Sequence, residues 1–257
     1  MIKIQALDAE GNVLASVSHE REVMLCVERI YQPGDRLVFS GAKYLYIQPD
    51  QAVAGSEVYA PEGTMDWPIP MGEHRDAYAP GSFEAARHAV YARELKEEEI
   101  RAYRNLALNP ADLRGDTNFY PHCTANVETR NEACFCARNV IDGLRLNDHH
   151  GRWPFQSWGI GARVDACCTL DFGRDVEIDR MALTLRADFP HDAYWTAGHV
   201  VMSDGTDIAF DLQKTAERQW IDIGKHTVSW LRLERLIKSD DPSAFPALTE
   251  WEVFGRG

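Results

Sequence analysis

No run of apolar residues in this chain is long enough to cross a bilayer as a helix. Basic residues are outnumbered, 27 Lys and Arg against 40 Asp and Glu, leaving a net charge of −13. That balance argues against nucleic acid and anionic membranes, both of which need clustered cations. The six cysteines make no CxxC pair. Cys167 and Cys168 are adjacent in a strand-like run and point to opposite faces, so the set reads as small buried hydrophobes in a reducing compartment rather than a zinc or disulfide framework. GxSxG, a P-loop and the dinucleotide glycine fingerprint are all missing. Asp171-Phe172-Gly173 ends a strand and has no glycine-rich loop or HRD run to make it a kinase element. The opening MIKIQALDAEGNV lacks a basic segment followed by an apolar core, so it does not read as a secretory signal and the default expectation is the cytoplasm.

What is present is a core. Of 257 residues, 45% are hydrophobic and 10% aromatic, enough for one large or two modest domains. Residues 1–93 read as a small β-sandwich of unknown role. IKIQALD and NVLASVS flank a turn at Glu10-Gly11-Asn12, and VMLCVERI, DRLVFS, KYLYIQ and SEVYA follow with turn signals between them. The Pro- and Gly-rich stretch from Gly63 to Gly81 is a long loop in which Trp67 reads as a lid on the core, and ARHAVYAREL as a closing strand. Residues 94–104 predict a short linker helix with Glu97, Glu98 and Glu99 on its solvated face. From residue 105 to 257 a second β domain follows, with strand candidates from ACCTLDFG to LTEWEVFG.

Within it, the stretch Ala137 to Gly159 passes from a short apolar turn through Asp142-Gly143 into a loop carrying Asn147, Asp148, His149, His150, Arg152, Trp153 and Trp158. So dense a set of polar and indole groups on a β scaffold reads as a recognition loop. Adjacent histidines point apart in extended chain, and no HxH or HxxxH spacing occurs, so polar contacts to a hydroxylated ligand explain this loop better than a catalytic metal.

Motif by motif, the second domain resembles the coagulation-factor-5/8 C-type, or discoidin, domains of the galactose-binding-like class, including family 32 carbohydrate-binding modules. Asn105-Leu106-Ala107 resembles the family's opening, ARNVIDG its A-x-N-A-I-D-G element, CTLDFGRDVEIDRMAL its central strand pair, Ser203-Asp204-Gly205 its S-D-G turn and PALTEWEVFG its closing strand. The resemblance implies an eight-stranded antiparallel jelly roll with ligand loops at one end, which in many relatives are lectin-like and bind carbohydrate and in others bind phospholipid headgroups or proteins, in a domain usually not catalytic. It also implies a structural calcium ion, with carboxylates from Asp142 and Glu250 and backbone carbonyls around Arg138 and Asn147. The competing reading is that Asp142 caps its own turn and Glu250 faces solvent.

A sugar site needs paired hydrogen bonds to vicinal hydroxyls and an aromatic ring against the pyranose C–H face. In the second loop Arg186, Asp188, His191, Asp192, Tyr194 and Trp195 offer these groups. Arg186 and Asp188 project to one side of a strand, as a sugar clamp or a simple ion pair. Tyr194 and Trp195 read as stacking platforms or as core. The expected function is therefore binding of a neutral glycan through the loops of the C-terminal jelly roll. The alternatives are a protein partner gripped by the same loops, or a glycan-active hydrolase or lyase using two of Asp165, Asp171, Asp188 and Asp192.

Overall fold

Asp8 accepts the backbone N–H groups of Glu10 and Asn12 at 3.1 and 2.8 Å, and Gly11 lies between them at φ 86°. That side-chain-closed turn reverses the chain between β1 (Ile2–Leu7) and β2 (Val13–His19). The computed structural model describes the whole of residues 1–257. Six more strands follow: β3 (Glu22–Val27), β4 (Arg36–Ser40), β5 (Tyr44–Gln48), β6 (Ser56–Tyr59), β7 (Thr64–Pro68) and β8 (His88–Glu94). They form two four-stranded antiparallel sheets, ordered β2-β1-β4-β7 and β3-β8-β5-β6. Every second residue points inward, so Ile2 and Ile4, Leu37 and Phe39, and Leu45 and Ile47 meet in the core of a small sandwich.

Trp67 is not a lid at the surface but fully buried, and its indole N–H donates to the Ala111 carbonyl at 2.8 Å. Ala111, Leu113 and Phe119 belong to this same core, and Tyr59 and Tyr120 exchange backbone bonds. The chain thus departs through one helical turn, α1 (Glu97–Ile100), and a two-residue strand, β9 (Arg104–Asn105), then passes back over the first sandwich. The helix is shorter than 94–104 because Glu94 still closes β8. The Arg93 guanidinium, together with the Lys96 N–H, holds the Glu99 carboxyl down at about 2.

The second domain consists of β9 with β10 (His122–Ala125), β11 (Trp158–Gly159), β12 (Cys168–Leu185), β13 (Trp195–Met202), β14 (Asp207–Asp211), β15 (Gln219–Lys238) and β16 (Ala247–Arg256). All pairings are antiparallel, and the register between β12 and β15 breaks from Asp171 to Val176. Before the break β12 pairs with β10 and the second half of β15, which also carries β13; after it, β12 pairs with β16 and the first half of β15. One continuous ladder is thereby folded into two layers, the β-sandwich of a jelly roll. The corner requires Gly173, which sits at φ 65° where a Cβ would lie 2.2 Å from the Tyr120 ring. Trp158, Trp195 and Trp251 fill the space between the layers. No helix is long and apolar enough to cross a membrane.

Candidate functional site

The loop from Ala137 to Gly159 divides between three tasks. Its first turn, Ala137–Ile141, plugs the core with Val140 and Ile141. Beyond Gly143 the chain runs outward, and His150 turns toward the end of β12, its Nδ1 2.6 Å from Asp188 Oδ2. Arg152 and Trp153 turn the other way, onto the first domain. The Arg152 Nε lies 3.0 Å from Asp76 Oδ2, and the Trp153 N–H donates to the Asp76 carbonyl at 2.8 Å.

At the end of β12, Arg186 is 4% exposed and its guanidinium grips both oxygens of Asp192, which is fully buried. It also donates to the Phe245 carbonyl at 3.0 Å. Arg186 therefore pairs with Asp192 and not with Asp188. The strand ends at Leu185, so its alternation does not continue to Asp188; the chain turns instead, with the Asp192 N–H donating to the Asp188 carbonyl at 2.9 Å. His191 stacks on His150 with ring centroids 4.4 Å apart and planes 12° from parallel, and its Nδ1 lies 3.0 Å from Asp192.

These groups border a cavity of about 150 Å³ whose lining includes Arg130, Phe135, His150, Arg186, His191 and Phe245. Arg130 stands in the left-handed region at φ 51°, which aims its exposed side chain across the Phe135 ring at 5.2 Å. Phe245 is 48% exposed on the loop before β16. Arg130, Phe135 and Phe245 were not foreseen from sequence, because each lies on a loop whose course depends on distant packing. The one local signal was an aromatic, Phe245, in the polar run SDDPSAFP.

Several expected site residues lie elsewhere. Trp158 and Trp195 are core, not platforms: they are 0% and 2% exposed, their rings lie 6.2 Å apart, and the Trp158 indole donates to the Val127 carbonyl at 2.8 Å. Strand alternation turns both inward. Tyr194 packs partly on the same core, and His149 stacks on Phe155 at 4.9 Å. Of the four acidic residues considered for catalysis, Asp165 pairs with Arg163, Asp171 caps Gly173, Asp188 holds His150 and Asp192 holds Arg186.

A second polar centre lies where the loop meets β16. Asp142 accepts from the Leu144 N–H at 2.9 Å and from the Gln156 amide at 2.7 Å, and Glu250, fully buried, accepts from the Gly143 N–H at 3.2 Å. Burial pushes the Asp142 carboxyl up to about 6 despite Arg138 3.9 Å away. Burial, then the neighbouring Asp142 and Glu252 charges, push Glu250 well above the usual carboxylate range. Asp142 does cap its turn, but Glu250 does not face solvent. Two dry carboxyls that repel each other are a donor set suited to a hard cation. The Asn147 carbonyl accepts from the Ala187 N–H and its amide donates to the Leu185 and Ala216 carbonyls, fastening the loop to β12. The Arg138 guanidinium, besides its approach to Asp142, donates to the Pro110 carbonyl and lies over the Tyr78 ring.

A larger cavity, about 350 Å³, lies at the joint between the domains beside Met71, Tyr78 and Arg138. Its walls are mainly apolar, and the Arg138 guanidinium beside it is engaged by the Pro110 carbonyl and the Tyr78 ring.

No family model matches the chain, and no curated protein does. Solved structures do resemble it. A chitosan-binding module from the chitosanase/glucanase of Paenibacillus sp. IK-5 is 18% identical, covering 59% of this chain and 98% of that one at a TM-score of 0.41. A fucose-binding module of Streptococcus pneumoniae is 14% identical over 60% and 98%, at 0.43. The family 32 module of NanJ from C. perfringens, in complex with galactose, is 13% identical over 51% and 91%, at 0.39. All three are carbohydrate-binding modules.

Proposed function

We propose that the C-terminal domain binds a glycan, without catalysis, in the loop-end cavity. The observation that carries this is the convergence of Arg130, Arg186, His150, His191 and the exposed Phe245 ring on one cavity of about 150 Å³. Guanidinium and imidazole nitrogens supply paired hydrogen bonds to vicinal hydroxyls, and Phe245 supplies an apolar face for the C–H side of a pyranose. The cavity is below the roughly 300–1,000 Å³ of sites that take drug-sized ligands, which suits a single sugar ring. Both arginines already carry a carboxylate, Arg186 on Asp192 and Arg130 on Glu132. No uncompensated cation is left for a uronic or sulfated sugar, so the ligand is neutral. One ring with few contacts gives an affinity between about millimolar and micromolar.

A glycan array on the full chain tests this, with Arg130→Ala as the probe of the cavity. Arg130 is exposed, so its loss leaves the fold unchanged and weakens binding about tenfold, the worth of one charge-assisted bond. A blank array from folded protein moves the reading to a protein partner at the same loops.

The same proposal includes a structural calcium ion held by Asp142 and Glu250, with water completing its shell. Calcium at about 100 times its dissociation constant adds about 2.7 kcal/mol, which raises Tm by roughly 5–10 °C over chelator. The buried Asp142 carboxyl, raised to about 6, favours the fold when protonated. That contribution is complete below the unfolded value of about 4 and lost as pH rises through about 6. The calcium shift is therefore larger at pH 7.5 than at pH 5. Equal melting in calcium and chelator at pH 7.5 removes the ion from the account.

A further inference from the structure

The sequence separates His150 from His191 by forty-one positions, and the fold stacks their rings at 4.4 Å. Ligand atoms of His150, Asp188, His191 and Asp192 all lie within 4.8 Å of one another. We infer that His150, His191 and Asp188 form a binding site for a first-row transition ion of the zinc type. It is distinct from the hard-cation pair Asp142 and Glu250, and its existence does not depend on the sugar reading.

Two imidazole nitrogens and one carboxylate oxygen are the three-ligand set that zinc accepts, with a fourth position open to water or a ligand hydroxyl. The outer contacts are in place as well. Ligating histidines usually hold their second ring nitrogen on a carboxylate, which fixes tautomer and ring orientation. Here His191 Nδ1 lies 3.0 Å from Asp192, and Asp192 is itself anchored by Arg186, so the His191 Nε2 is the atom left for the ion. Asp192 thus orients a ligand and is not one. His150 Nδ1 meets Asp188 at 2.6 Å, a bond that gives way when both take the ion.

Zinc–nitrogen distances of about 2.0–2.1 Å place tetrahedral ligand atoms about 3.4 Å apart, so atoms spread over as much as 4.8 Å must draw together by up to about 1.4 Å. The side chains that must move are free to do so: His191 is 54% exposed and His150 39%. The stacking places two soft-to-borderline nitrogen donors together, which distinguishes this cluster from the many acidic surface groups that hold no ion.

The experiment is calorimetry of zinc chloride against the full chain at pH 7.5, repeated with cobalt(II) for its visible absorption. One site per chain is expected, with tetrahedral cobalt bands. His150→Ala and His191→Ala each weaken it at least tenfold, and the double variant removes it. Asp188→Asn weakens it and keeps the histidine signature. Because the three side chains are partly exposed, unchanged circular dichroism identifies folded variants. Zinc bound equally by the double variant overturns the site, as do cobalt bands showing thiolate charge transfer, or the absence of any binding. Glycan affinity measured in chelator separates the two readings: sugar binding that persists without zinc binding sinks only the metal site, and zinc binding beside a blank array sinks only the sugar site.

Discussion

Arg186→Ala lowers the unfolding free energy by about 3–5 kcal/mol, because it leaves the Asp192 carboxylate buried without its partner. Sequence alone leaves Arg186 as a sugar clamp, whose removal would abolish binding and spare the fold, or as a simple ion pair with Asp188. Burial decides between them. Asp192 has no access to water, and the guanidinium is its main counter-charge, joined only by the His191 ring. Arg186→Lys keeps the charge but loses the two-pronged fit, and falls between wild type and alanine. Replacing both members, as in Arg186→Met with Asp192→Leu, recovers much of the loss, since no charge is then stranded. Urea midpoints at constant slope measure all three. A midpoint for Arg186→Ala within experimental error of wild type would show that Asp192 is hydrated and the pair superficial.

Trp195→Ala costs about 3–5 kcal/mol, the usual range for deleting a large buried ring. The indole touches Trp158 in the centre of the sandwich and is 2% exposed, so its loss opens a cavity between the two layers. Trp195→Phe costs less, since it keeps a ring and removes an indole N–H that has no acceptor within the protein. The readout that separates core from platform is sugar affinity measured well below the melting transition. It is unchanged in Trp195→Phe if the residue only packs. Lost affinity at an unchanged melting temperature would return Trp195 to the ligand site.

The behaviour of these two residues shows where sequence reading stops. RADFPHDAYW reads as a strand leading into a polar loop, and of its six marked residues Arg186 and His191 line the cavity while Trp195 is core. Which of them faces the cavity depended on where β12 ends. With the strand stopping at Leu185, the alternation ceased to apply, Asp192 rather than Asp188 came under Arg186, and Asp188 was released to His150. The linker helix shrank for a similar reason, because β8 holds Glu94 in a ladder that the local charge pattern does not reveal. Trp67 illustrates the same limit: its burial depends on Ala111, which returns to the first sandwich from outside the expected boundary.

By itself the sequence determined what local chemistry can determine. Period-two apolar patterning specified strands and their inward faces, and the Asp8 turn and glycine-bearing reversals specified where hairpins close. The motif order also placed a jelly roll in the second half of the chain. Tertiary structure alone decided which groups meet at the candidate site. His150 and His191 meet, Arg130 and Phe245 reach one cavity, and Glu250 takes the Gly143 N–H beside Asp142 because segments far apart in the chain are brought together by the folded ladder. Backbone periodicity is a property of neighbours, and it is encoded within a few residues. The meeting of two loops depends on strand lengths, on register breaks such as that at Gly173 and on the packing of three tryptophans, none of which a short stretch of sequence contains.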